Sequence, residues 1–377
     1  MGYLCHRIGG PRRRRDDVKD GRRMIHYPIT FKAAILERLH EPLHIDEVRF
    51  DGPLGVGQVL VKISYSGICG KQIEEIQGTK GSDPYLPHLL GHEGSGIVID
   101  VGPGVRKVVP GEAVVLHWLK GSGVDATTPL YWRRDQRINA GWVTTFNEYG
   151  VISENRLTPI PKEADLSVAC LLGCAVTTGV GVILNEANLH PGDSVAVFGC
   201  GGVGLNAIQG AAMVQGYPII AVDRNPESRQ LARRFGATHA IDPTAVDVLT
   251  EIKRMTGGQG VQVVIVAVGN PEVIEVAVQA STIPGAVFLV GVPPTGSKIQ
   301  VDPFAIHGRR TLLGSYGGGT VPDRDIARYL DLYAKGCLKL KELIFDVVPL
   351  EQIHRGIAAM LSGKPGRCVV RMMPNDV

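Results

Sequence analysis

The sequence predicts an α/β chain in two parts, a β-rich first part followed by a parallel sheet wound on both faces by helices. Three observations predict it. Residues 29–152 read as short alternating strands punctuated by glycine, and residues 193–315 alternate strand-like with helix-like segments. Near the start of the second stretch, an apolar strand at 195–198 runs into the turn Gly199-Cys200-Gly201-Gly202-Val203-Gly204 and then into a helix-compatible stretch. At 377 residues the chain exceeds one ordinary core, so two domains are expected.

Taken in order, the first part offers apolar-rich strands at 31–36, 58–65, 96–101 and 113–116. Helical texture begins near Ser167, after the breakers Pro159 and Pro161. Beyond residue 193, helical segments at 230–235, 246–255 and 272–280 alternate with strands at 261–268, 286–290 and 311–315, the pattern of parallel strands joined by crossover helices. The tail offers helices at 325–334 and 350–361 and a last strand at 368–372, which read as a return to the first part.

The glycine turn predicts a dinucleotide site, a Rossmann unit. Gly199 permits the tight turn, Gly201 lets backbone N–H groups approach a pyrophosphate, Gly202 and Val203 complete the cradle, and Gly204 lets the helix pack close to its strand. A second apolar run, 218–222, ends in Asp223, near the ~20-residue offset at which an acid meets the adenosine ribose. That carboxylate suits the two hydroxyls of NAD and would repel the 2′-phosphate of NADP, so NAD is expected. Arg224 follows directly and would reach such a phosphate if Asp223 turned away.

Composition narrows the partners. Hydrophobic residues make up 44% and charged residues 20%, as in a soluble globular protein, and the run 261–268, interrupted by Gln262, is far too short for a membrane anchor. The formal charge is +3, but Arg12, Arg13, Arg14, Arg15, Lys19, Arg22 and Arg23 concentrate it near the start against Asp16, Asp17 and Asp20. The remaining body is slightly negative and gives no electrostatic case for nucleic acid. The arginine run reads as a solvated tail, lacking the pattern of a transit or secretory signal, and Met24 is a candidate start. Seven scattered cysteines, an odd number, argue for reduced thiols in the cytosol.

Three small motifs then fall in order: Gly67-Ile68-Cys69-Gly70, Gly91-His92-Glu93-Gly94 and Gly173-Cys174. Singly, a cysteine in apolar surroundings is inert packing and a histidine in a turn forms hydrogen bonds. Together, ahead of the glycine turn, they resemble the zinc alcohol dehydrogenases of the medium-chain dehydrogenase/reductase superfamily, from about Phe31 to Met372. The resemblance implies a GroES-like β-rich catalytic domain beside the Rossmann domain, with Cys69, His92 and Cys174 as catalytic zinc ligands and Glu93 behind them. Two thiolates and one imidazole would leave tetrahedral zinc one open position, as a catalytic site requires. His88 and His117 are decoys. By the same resemblance, Gly291 and Val292 hold the nicotinamide carboxamide, Val268 and Gly269 lie under the adenosine, Arg367 pairs with the pyrophosphate, and Trp118 lines the substrate channel.

The sequence also departs from that family. Many members place Ser or Thr two residues after the first cysteine, then Asp, and often a nearby His, as a proton relay; this chain has Lys71, Gln72 and Glu74. Two routes are open: Lys71 accepts the alcohol proton and Glu74 or Glu75 passes it on, or Lys71 pairs with a carboxylate and water relays the proton. The four-cysteine lobe of a structural zinc is missing, so one zinc per chain is expected. Trp118, Trp132 and Trp142 all fall where it would lie, and packing of that lobe is the main expectation for them. Polar neighbours there point to a polyol or sugar-derived alcohol.

The expected organisation is a basic, disordered tail over 1–28, a GroES-like domain over 29–185 completed by 325–377, and a Rossmann domain over 186–324. The expected protein is a cytoplasmic, NAD-dependent zinc alcohol dehydrogenase. It acts on a small-molecule alcohol or carbonyl as a homodimer or homotetramer, without nucleic acid or membrane. The alternatives are an NADPH-dependent zinc carbonyl reductase and a nucleotide-binding module without turnover.

Overall fold

The computed structural model describes residues 18–19, 22–23 and 25–373. The arginine run at 12–15, Cys5 and Met24 lie outside them. Among the described residues, three large sheets carry the chain, apart from the two-stranded pairing of Val18–Lys19 with Arg22–Arg23. A small barrel closes through Ile29–Leu36, His44–Phe50, His88–Leu89 and the hairpin Leu130–Arg133/Gln136–Asn139. Its interior holds Phe31, Ile35, Tyr131 and Ile138, all buried. The hairpin has no counterpart among the predicted strands, because its charged turn, Arg133-Arg134-Asp135, reads as a solvated loop.

Beside the barrel lies a mixed sheet built on Gln58–Gly67, which pairs antiparallel with Glu93–Val101, with Tyr149–Ser153 and with the tail strand Arg367–Arg371. The last pairing is the return of the tail to the first part. Glu93–Val101 also pairs with Ala113–His117, in the register Glu93 to His117.

The third sheet has six parallel strands in the order His239–Ile241, Ile219–Val222, Val195–Phe198, Val261–Val266, Ser281–Leu289, Arg310–Gly314. Helices cover both faces, so the central strands are apolar at nearly every position; Val195–Phe198 is buried throughout. The chain reverses its direction across the sheet between Val195–Phe198 and Val261–Val266, and at such a switch point a crevice opens outside the strand ends.

The uncharged stretch that begins at Leu166 forms two short helical segments, bent by 58°. Cys174 sits at the bend, between the 3-10 turn Cys170–Gly173 and the helix Ala175–Gly181, and residues 168–183 are buried throughout. Among the described residues no single helix is long and apolar enough to cross a membrane. The helix Ala175–Gly181 packs closely on Gly202–Met213: a Cβ on Gly179 would lie 2.4 Å from the Val203 carbonyl oxygen.

Candidate functional site

Cys69 ends the loop after Gln58–Gly67 and opens the helix Gly70–Ile76. His92 precedes the strand Glu93–Val101, and Cys174 stands at the helix bend. Three separate elements thereby bring their ligand atoms within 4.8 Å of one another, the only convergence of this kind among the described residues. The two sulfurs are 4.0 Å apart, against about 3.8 Å for two thiolates bound tetrahedrally to zinc at ~2.3 Å. His92 Nε2 is buried and has no hydrogen-bond partner, which is the condition of a nitrogen left for a metal. Donor set and spacing therefore fit a zinc ion.

Charge is arranged to match. The shared proton from Cys174, against burial and aided by His92, holds Cys69 well below an ordinary thiol, while Cys174 is pushed up by that sharing and by burial. Burial opposes a charge on His92, but the Cys69 thiolate outweighs it and raises the imidazole. A cation between the sulfurs would remove the need for the shared proton.

Behind the ligands lies Gln72, which is fully buried. The Cys69 N–H donates to Gln72 Oε1 at 3.1 Å, and Gln72 Nε2 is hydrogen-bonded to His92 Nδ1. The amide thus fixes both the loop and the ring. Glu93 is also fully buried; its Oε2 accepts the Ala175 N–H at 3.2 Å and its Oε1 lies 3.4 Å from Arg367 Nε. Burial pushes the Glu93 carboxyl up to about 7, against the lowering influence of Arg367.

Lys71 is ion-paired to Glu74 on the first turn of the helix. The two decoy histidines are satisfied elsewhere. His88 Nε2 pairs with Asp83 at 2.8 Å, and His117 bonds to the Leu119 carbonyl at 2.7 Å and the Thr158 hydroxyl at 3.0 Å.

The predicted dinucleotide residues gather at the switch point. Gly199 has φ +90°, and a Cβ on Gly204 would lie 1.8 Å from the Gly199 carbonyl oxygen, so the strand-to-helix turn tolerates no side chain at either position. Gly201 caps the helix Gly202–Met213, in which Val203 follows. Asp223 ends its strand with its carboxylate accepting the N–H groups of Cys200 at 2.7 Å and Asn225 at 2.8 Å. A cleft of about 590 Å³ opens here, lined by Gly199, Asp223, Arg224 and Val268 among others. The turns Val268-Gly269 and Gly291-Val292 pack backbone to backbone, where a Cβ on Gly269 would meet the Val292 oxygen at 2.2 Å. Arg367, 4% exposed, passes beneath the glycine turn, and a Cβ on Gly202 would lie 2.2 Å from its Nη1.

The tryptophans are spread over the region: Trp132 is half-buried on the barrel hairpin, Trp142 is exposed, and Trp118 packs edge-on against Tyr316 with centroids 4.9 Å apart. Gln72, Tyr316 and Arg156, which donates to the Trp118 carbonyl at 2.8 Å, acquire their places through tertiary contacts that no local pattern announces.

Comparison with known proteins gives a consistent picture. Residues 55–162 match the family described as alcohol dehydrogenase GroES-like domain, and residues 202–335 match the zinc-binding dehydrogenase family. The chain is 33% identical over 373 residues to an S-(hydroxymethyl)glutathione dehydrogenase of Escherichia coli O1:K1 / APEC, covering 90% of this chain and 99% of that protein. Among solved structures, a zinc-binding-domain alcohol dehydrogenase protein from Burkholderia ambifaria matches with TM-score 0.86 and 30% identity over 92% of this chain and all of that one. Benzyl alcohol dehydrogenase from Acinetobacter calcoaceticus matches with TM-score 0.84 and 26% identity over the same shares.

Proposed function

Because this chain belongs to the zinc-type alcohol dehydrogenases of the medium-chain dehydrogenase/reductase superfamily, we propose that it oxidises a small alcohol with NAD, using one zinc ion held by Cys69, His92 and Cys174. The observation that carries this reading is the meeting of two sulfurs and one imidazole, remote in sequence, at one point. When bound, zinc supplies Lewis acidity at its open position and NAD the hydride acceptor.

The remaining tasks fall to the chain's own groups. Gln72 fixes the His92 ring so that Nε2 faces the sulfurs. Glu93 and Arg367 neutralise one another beneath the ligands, and Arg367 offers its guanidinium to a pyrophosphate seated on the glycine turn. Asp223 receives the ribose hydroxyls, Val268 and Gly269 lie under the adenosine, and Gly291 and Val292 hold the carboxamide. Lys71 Nζ first gives its own proton to Glu74, which releases it to solvent, and the neutral amine then takes the alcohol proton; if the Lys71–Glu74 pair stays charged, water relays the proton instead. Trp118 lines the channel. On this reading the chain divides into a catalytic part, 29–185 with 325–377, and a nucleotide part, 186–324, and works in the cytosol as a homodimer or homotetramer.

Metal analysis and NADH absorbance test the reading together. Purified protein should carry one zinc per chain and should reduce NAD faster than NADP with benzyl alcohol. Preference for NADP would instead favour the carbonyl reductase, for which Arg224 in the same cleft speaks. Zinc-free protein inert with both would leave a nucleotide-binding module. In the same assay Lys71→Ala should lose most turnover below neutral pH, where hydroxide becomes scarce, with zinc content intact. An unchanged pH profile removes Lys71 from the mechanism.

A further inference from the structure

Strand register and ring contacts define a second feature beside the metal ligands. The pairing of Glu93 with His117 puts His92 and Trp118 each one residue beyond the same end of that strand pair. Trp118 packs edge-on against Tyr316, which follows the last strand of the parallel sheet, so this aromatic wall bridges the two sheets at their ligand-facing ends. Arg156 anchors the wall. Its Nη1 donates to the Trp118 carbonyl, and its Cζ sits 5.6 Å from the centroid of the exposed Trp142 ring.

The wall is rich in donors. Trp118 Nε1 is buried without a partner, and Arg156 has no carboxylate within ion-pair distance among the described residues. Asp125, whose charge acts on Arg156, is bound to Lys120 at 2.8 Å and accepts from Asn155 at 3.0 Å. An unpartnered buried donor is costly, and a half-buried guanidinium without a counter-ion adds to that cost. Burial lowers the affinity of Arg156 for its proton, against the raising influence of Asp125. An indole N–H and a guanidinium beside flat rings suit a planar anion, chiefly a carboxylate.

We propose that Arg156, Trp118, Tyr316 and Trp142 form the far end of the substrate channel, and that the alcohol oxidised here carries an anionic group, most simply a carboxylate, on a flat apolar body. This deepens the reading given under Proposed function and rests on it. It replaces the polyol expectation with a charged, partly apolar alcohol.

The test compares 3- and 4-(hydroxymethyl)benzoate with the corresponding benzamides, which match them in shape and lack the charge. At least one carboxylate should exceed its amide in kcat/KM by tenfold or more, the difference should shrink at high salt, and Arg156→Gln should reduce the ratio to within twofold. Arg156→Lys, which keeps a charge but not the planar fork, should retain an intermediate ratio. Equal kcat/KM for acid and amide in the unaltered protein, or a preference that survives Arg156→Gln, overturns the anionic subsite while leaving the dehydrogenase reading intact. Failure to oxidise any of the four compounds or benzyl alcohol overturns both.

Discussion

Gln72 stands where a carboxylate commonly sits behind a metal-bound imidazole, and it orients the ring without contributing charge. Replacing it with Leu removes the bonds to both His92 and Cys69, and zinc affinity is expected to fall about 10–100-fold in competition with a chromogenic chelator. His117 offers a different experiment. Burial pushes it down to about 4, whereas the unfolded chain titrates near 6.5. Between those values the unfolded state binds the additional proton, so the stabilisation is complete above about pH 6.5 and is lost as pH falls towards 4. The expected loss is on the order of 3 kcal/mol in denaturant melts, and His117→Gln should flatten the slope across that window.

At the scale of elements, the parallel sheet was the most legible part of the sequence. Val195–Phe198 and Ile219–Val222 are covered on both faces, so burial leaves a nearly unbroken apolar run, and the glycine turn and Asp223 mark where they end. Ser281–Leu289 was harder to see, because Ile283-Pro284-Gly285 looks like a breaker although it lies within the strand, next to a register shift against Val261–Val266. The bend at Cys174 was hidden for a related reason: apolar residues on both sides carry no periodicity that distinguishes one helix from two. The three metal-ligand motifs could be read from glycine-flanked cysteine and histidine. The contacts of Trp118 with Tyr316 and Arg156 could not, since they join positions set by sheet register and cleft geometry.

For the molecule as a whole, the strand Arg310–Gly314 leaves one edge of the parallel sheet unpaired among the described residues. Leu313 on that strand and Phe304 and Ile306 on the preceding helix are exposed beside it. A free edge flanked by apolar side chains favours self-association, and a second copy of this chain is the partner expected there. Light scattering coupled to size exclusion should give a dimer or tetramer, and Leu313→Lys should shift the population to smaller species; a monomer in the unaltered protein would rule this surface out. Arg367 has a consequence of another kind. One guanidinium touches Glu93 under the metal ligands and underlies Gly202 in the nucleotide turn, while the helices beginning at Cys174 and Gly202 press together at Gly179. Where occupancy at one end shifts Arg367, thermodynamic reciprocity demands the same factor in both directions: whatever metal adds to coenzyme affinity, coenzyme returns as metal retention.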